Sequence, residues 1–128
     1  MILAETTVVI GFLKAPTPRV LTIIQDHQAA ICGVTVAEVY AGARSPADFA
    51  RYDISLALFG SVPVPLDIWP RLGRNIAALG ARGVSVPFPD ILIATLAIDL
   101  DLELWQRDHH FPLIQTVLPQ LKLFTEPP

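Results

Sequence analysis

The sequence predicts a three-layer α/β domain built around a mainly parallel sheet, and two observations lead there. Short apolar runs at Ile2–Ala4, Ala29–Gly33, Leu102–Trp105 and Leu121–Phe124 are separated by stretches with helical spacing of apolar residues. One of those stretches, Ile91 to Leu100, is almost wholly apolar, the pattern of a helix buried on every side. Strands that alternate with helical crossovers pair in parallel and are covered on both faces.

The elements follow in order. Ile2-Leu3-Ala4 reads as a strand, Thr6-Thr7 as a helix cap, and Val8, Val9, Ile10, Phe12 and Leu13 as the apolar face of the first helix. A second helix is expected from Pro18 to about His27, followed by a buried strand over Ala29–Gly33. Thr35-Val36-Ala37-Glu38 fits a Thr-x-x-Glu capping box and is expected to open the next helix, through Val39, Tyr40 and Ala43. Pro46 starts a helix carrying Phe49, Tyr52, Ile54, Leu56 and Leu58 toward Gly60. Val62–Leu66 holds Pro63 and Pro65, so it is limited to a short or edge strand. Asp67 is the expected cap of a helix through Trp69, Leu72, Ile76 and Leu79 that ends at Ala81-Arg82-Gly83. Val84–Pro89 is an extended loop, and Asp90 heads the apolar helix. After the Leu102–Trp105 strand, a short helix is expected near His109–Thr116 and a last strand at Leu121–Phe124.

Length and composition bound the function. A chain of 128 residues with 52% hydrophobic residues suits a single domain over residues 1–128 with a substantial core. Mean hydropathy is +0.51, yet the longest uncharged stretch, Ile54–Leu66, is interrupted by Gly60, Pro63 and Pro65 and falls short of the roughly 20 apolar residues that span a bilayer. With no basic leader ahead of Glu5, a cytoplasmic protein without membrane attachment is expected. Cys32 is the only cysteine, so no intrachain disulfide forms, and its apolar setting predicts a buried thiol. A net charge of −3 argues against binding nucleic acid through a broad basic face. A small site that meets phosphate through a metal remains open.

With 12 Asp and Glu in the chain, individual acids matter. Glu5 and Asp108 directly follow expected strands, while Glu38 and Asp90 lie in helices entered from the same side of the sheet. Each has a local structural use as a helix cap, first-turn acid or strand end. Together they sit where open α/β sheets bind ligands, beyond the carboxyl ends of the strands. Carboxylates gathered there repel, by on the order of 4 kcal/mol for a pair at 4 Å and an effective dielectric near 20. A divalent cation removes that penalty, and hard Mg2+ takes oxygen ligands.

The segments Ile2-Leu3-Ala4-Glu5-Thr6-Thr7-Val8, Thr35-Val36-Ala37-Glu38-Val39-Tyr40-Ala41-Gly42, Pro87-Phe88-Pro89-Asp90-Ile91-Leu92-Ile93-Ala94 and Leu104-Trp105-Gln106-Arg107-Asp108-His109-His110-Phe111 resemble, in order, the motifs of PIN-domain ribonucleases, specifically VapC-type toxins. The resemblance covers essentially the whole chain. It implies a three-layer α/β/α PIN-like domain and a Mg2+- or Mn2+-dependent endoribonuclease acting on RNA. It also implies a homodimer paired with a cognate antitoxin protein that reaches into or beside the active site. Glu38 and Asp90 match the family's acidic ligands, Asp108 its fourth acid, and Thr7 a Ser or Thr near the metal. Glu5 stands where the family has Asp, and its extra methylene displaces the carboxylate by about one bond length against the near-octahedral demand of Mg2+. Three alternative outcomes are open from that departure: weakened cleavage, a shift toward Mn2+, or metal and RNA binding without turnover. The last would make the chain an antitoxin-binding or RNA-binding module.

Other residues carry weaker signals. His109 and His110, beside Asp108, are candidates for contact with RNA phosphate, with solvent exposure as the alternative, and Arg107 is a further weak candidate. A zinc pair at His109 and His110 is disfavoured because neighbouring residues do not readily face one point. Asp99, Asp101 and Glu103 alternate with leucines and read as a solvated face. The apolar helical segments Val20–Ile24 and Phe49–Leu58 are candidates for dimer or antitoxin contact. A phosphotransfer receiver also gathers carboxylates at strand ends, but Lys122 falls too late to serve as its lysine. No serine-hydrolase elbow, phosphate-binding glycine loop or Cys-x-x-Cys pair is present.

Overall fold

The computed structural model describes all 128 residues. Strand β1 (Ile2–Ala4) leads into helix α1 (Thr6–Lys14), and α2 (Pro18–Asp26) returns the chain to β2 (Ala29–Ile31). Helices α3 (Gly33–Ala41) and α4 (Pro46–Leu56) precede β3 (Gly60–Ser61), and α5 (Trp69–Ala81) and α6 (Phe88–Asp99) follow it. Strand β4 (Leu104–Trp105) and helix α7 (His110–Val117) complete the order. All strand pairs are parallel, in the spatial order β3-β2-β1-β4. The central strand β1 sets Ile2 against Ala29 and Leu3 against Leu104.

Alternation along these strands divides the core in two. Leu3, Ala30 and Leu104 face one cluster shared with Leu72, Leu79, Leu96, Phe111 and Ile114 from α5, α6 and α7. Ile2, Ala4, Ala29, Ile31 and Trp105 face the other, packed on Val8, Phe12, Ile23 and Val39 from α1, α2 and α3. Side chains on successive strand residues point to opposite faces, so a central sheet with helices on both sides is the arrangement that buries them all. The three-layer α/β/α PIN-like fold expected from the sequence is the fold the chain has. The uniformly apolar α6 is buried from Ile91 through Ala97, and Cys32 is buried as expected. No helix is long and apolar enough to cross a membrane.

Several boundaries differ from those the sequence suggested. Helix α3 begins two residues before Thr35, with Cys32 at the cap position and Val36 N donating to Cys32 O at 3.2 Å. Thr35 therefore sits inside the helix and its hydroxyl points into the domain, so no capping box forms. Thr6 and Thr7 likewise lie inside α1, whose cap is Glu5, with a side chain that accepts from Thr7 N. The third strand lies at Gly60–Ser61 rather than Val62–Leu66, because Pro63 and Pro65 cannot donate to the ladder; Val62 N still reaches Ile31 O at 2.9 Å.

Ile68, not Asp67, occupies the cap position of α5, and Asp67 pairs instead with Arg71 one turn on. Gly83, with φ of 72°, closes the turn that ends α5. Strand β4 is confined to Leu104–Trp105, and the expected last strand is reduced to a parallel bridge between Leu104 and Leu123. In the segment proposed for partner contact, Val20, Ile23 and Ile24 are consumed by the chain's own core. Phe49, Ile54 and Leu58 are exposed.

Candidate metal centre

The carboxyl ends of β1 and β4 lie side by side, with Glu5 N donating to Trp105 O at 3.0 Å. Glu5 therefore leaves the sheet beside the turn that carries Asp108. The middle of α3, which follows β2, contributes Glu38, and the first turn of α6 contributes Asp90. Chain topology thus delivers four acids from distant parts of the sequence to one end of the sheet. Asp90 is repelled by both Asp108 and Glu38, and Glu5 by Asp90, so all four share one electrostatic environment.

Each acid is held differently. Glu5 is 1% exposed, and its Oε1 accepts from Thr7 N at 3.0 Å and from the Thr7 hydroxyl. Burial pushes its carboxyl above the usual glutamate range, against the hydrogen bonds from Thr7. Glu38 is half-buried and accepts from Thr6 Oγ1 at 2.6 Å, while Thr6 Oγ1 lies 3.3 Å from the fully buried Thr35 Oγ1. Asp90 is also pushed upward, by burial first and by Asp108 and Glu38 as well, with the His110 contact opposing the shift. Asp108 Oδ1 accepts from His110 N at 3.0 Å, and Gln106 Oε1 accepts from Asp108 N at 2.7 Å.

His110 is the residue that joins the set. Its Nδ1 is 2.8 Å from Asp90 Oδ2 and 3.2 Å from Asp108 Oδ1. The ligand-capable atoms of Asp108, His109 and His110 also lie within 4.8 Å of one another. The adjacent histidines thus converge more than their spacing suggested, because the start of α7 turns their rings, 4.4 Å apart, toward Asp108. Thr7 reaches the centre through Glu5 and also accepts from Arg107 N at 3.0 Å. The Arg107 guanidinium is turned away to Glu126, with Nε 2.8 Å from Oε1.

Thr6 and Thr35 were not singled out as site residues by sequence, and His110 was considered only together with His109, as a phosphate contact or a disfavoured zinc pair. The paired threonines directly after Glu5 were the available signal for the first of them. Their hydroxyls, two residues in succession on a turning helix, reach different acids. Glu38 also lines a groove of about 340 Å3 between α1, α3 and α4, with Lys14, Arg44, Arg51 and Tyr52 on its walls. The other three acids lie outside that groove.

Fold and site together describe a PIN-like α/β/α domain with an acidic centre at the carboxyl end of its sheet. Solved structures bear out the likeness to the VapC group. The chain matches a structure of VapBC2 from Rickettsia felis bound to a DNA fragment from their promoter, with a TM-score of 0.82, 19% identity, and 97% of this chain and 98% of that chain covered. It matches DNA-bound VapBC from Salmonella typhimurium with a TM-score of 0.81, 17% identity, and coverage of 97% and 98%. FitAcB from Neisseria gonorrhoeae gives 0.73, 21% identity, and 98% coverage of each chain. At these identities the likeness is one of fold. No protein-family model and no curated protein matches the sequence.

Proposed function

We propose that the chain is the toxin of a toxin–antitoxin pair, a Mg2+- or Mn2+-dependent endoribonuclease. The observation that carries this reading is that Asp90 Oδ2 and Asp108 Oδ1, from separate elements, both contact His110 Nδ1, at 2.8 and 3.2 Å, with Glu38 and Glu5 close enough to repel Asp90. Carboxylate oxygens gathered at one end of a sheet are a donor set suited to a hard divalent cation. When bound, such an ion supplies Lewis acidity toward a phosphodiester and makes water more acidic.

The chain's own residues supply position. Thr6 fixes Glu38, Thr7 fixes Glu5, and the turn before α7 presents Asp108 and His110 together. Lys14, Arg44 and Arg51 line the groove beside Glu38, where an RNA phosphate meets positive charge. His109, 81% exposed beside Asp108, is placed for a further phosphate contact. Hydrolysis joins the water oxygen to phosphorus and breaks the bond to O3′, leaving a 5′-phosphate and a 3′-hydroxyl. Phe49, Ile54 and Leu58 on and after α4 offer exposed apolar surface to an antitoxin or a second copy of the chain.

One observation favours a second reading. The Glu5 carboxylate is folded back on Thr7 N and the Thr7 hydroxyl and is buried, which suits a binding module that has lost turnover. The two readings separate in one experiment, RNA cleavage by the antitoxin-free wild type and Glu5→Asp side by side in Mg2+ and in Mn2+. Cleavage by the wild type supports the nuclease. Cleavage by Glu5→Asp alone assigns the chain to the impaired module, and cleavage by neither removes the nuclease reading.

A further inference from the structure

His110 and His109 open α7 side by side but face different surroundings. His109 is 81% exposed and touches only Asp108 among the acids, with Nδ1 3.4 Å from Oδ1. His110 is 25% exposed and turned inward, and its Nδ1 contacts carboxylates from two separate elements, Asp90 at 2.8 Å and Asp108 at 3.2 Å. The same Asp108 Oδ1 also accepts from His110 N at 3.0 Å and so fixes the turn that delivers the ring.

Those separations carry chemical information. In an octahedral centre with bonds of about 2.1 Å, neighbouring ligand atoms stand about 3 Å apart, the bond length times the square root of two. The distances from Nδ1 to the two carboxylate oxygens bracket that edge. Nδ1 thus stands at ligand-edge distance from one oxygen of each acid. It is the one nitrogen among these donors. Imidazole suits first-row transition ions, whereas Mg2+ favours an all-oxygen set.

We propose that His110 is a nitrogen ligand of the divalent-cation centre, acting through Nδ1 beside Asp90 and Asp108, and that it biases the centre toward Mn2+ over Mg2+. The proposal rests on the reading of Asp90 and Asp108 as ligands. It differs from a ring that merely stands in for the cation as a positive charge. A stand-in competes with the ion, so its removal tightens binding; a ligand assists the ion, so its removal weakens binding.

The test uses the full chain stripped of metal and titrated separately with Mn2+ and Mg2+, with pulsed electron paramagnetic resonance on the Mn2+ form. The wild type should show the 14N coupling of a directly bound imidazole. His110→Ala should lose that coupling and bind Mn2+ at least roughly tenfold more weakly, since loss of even an outer-shell partner typically costs 10- to 100-fold. Its Mg2+ affinity should fall less, and His109→Ala should keep the nitrogen coupling.

Mn2+ bound by the wild type without nitrogen coupling overturns the proposal while leaving the acidic centre standing, and so does tighter Mn2+ binding by His110→Ala. Failure of the wild type to bind Mn2+ at all removes the proposal and the metal reading together. The wild-type spectrum needs no variant, so a folding defect in His110→Ala does not leave the question open.

Discussion

The hydroxyl of Thr6 donates to Glu38 Oε1 at 2.6 Å, joining the first turn of α1 to the middle of α3 across 32 residues of sequence. The same oxygen lies 3.3 Å from the buried Thr35 hydroxyl. Thr6→Val keeps the shape of the side chain but removes the partner of both groups. Leaving the Thr35 hydroxyl unpaired should cost about 1–3 kcal/mol of stability, read by urea denaturation. Mn2+ affinity measured by calorimetry should fall as well, because Glu38 is no longer held. Thr6→Ser, which retains the hydroxyl, should recover most of both losses.

Glu5 makes the stability of the metal-free chain depend on pH. Its folded carboxyl is raised above the ordinary glutamate value by burial, so the native state holds its proton more tightly than the unfolded chain does. That contribution is fully present below about pH 4.3, the unfolded value, and is lost as pH rises through the folded value. Glu5→Gln cannot ionise and still offers an oxygen to Thr7 N. Without metal, it should melt above the wild type at pH 7, with the gap closing as the pH approaches 4. Thermal unfolding at several pH values in the presence of a chelator checks this, and an equal gap at every pH would contradict it.

The order of elements was legible because apolar runs and helical spacing are local properties. Pro18, Pro46 and the almost wholly apolar Ile91–Ala97 segment marked helices that form there. Boundaries failed where a residue's role depended on its three-dimensional neighbours. Thr35 looked like a cap until Thr6, 29 residues away, drew its hydroxyl into the core. The third strand moved ahead of Pro63 because β2 needs amide donors, and the prolines supply none. Of the residues at the candidate centre, the four acids were legible as candidates from their positions after strands and in the helices that follow. The contact between His110 and Asp90 was not, since Asp90 lies 20 residues away on another helix and no spacing rule links them. The direction of Arg107, toward Glu126, was equally invisible.

Glu126 anchors the end of the chain to the turn beside the site. Its carboxylate accepts from Trp105 Nε1 at 2.8 Å and Arg107 Nε at 2.8 Å, and also meets Arg19 at 3.2 Å. The Arg107 contact is the main reason its carboxyl is held below the ordinary range. A lowered folded value means stability that is present above about pH 4.3 and lost as pH falls through the folded value. Glu126→Gln should therefore cost on the order of 1 kcal/mol at pH 7, the scale of a partly exposed pair, and much less near pH 3. Denaturant titrations at the two pH values measure the difference. Arg107, freed from its partner, becomes available to RNA, so RNA binding should hold or strengthen in the same variant.

Asp90 sits on a helix held mainly by apolar packing, with polar ties to α5 from Asn75 Nδ2 to Thr95 Oγ1 at 2.9 Å and from Arg71 Nε to Asp99 Oδ2 at 2.7 Å. Leu96 lies on α6 nearly two turns beyond Asp90 and is fully buried against the α5 and α7 side of the core. Leu96→Ala removes no polar contact and leaves a cavity in a region with no water-facing side chain to fill it. Such a change should cost about 2–5 kcal/mol, depending on how far the neighbours close in. The first turn of α6 and the His110 contact are not made by Leu96, so metal affinity per folded molecule should stay close to that of the wild type. Denaturant unfolding gives the first quantity, and calorimetry well below the transition gives the second. Metal binding lost in proportion to the stability change would show that packing along the helix, rather than its first turn, sets the position of Asp90.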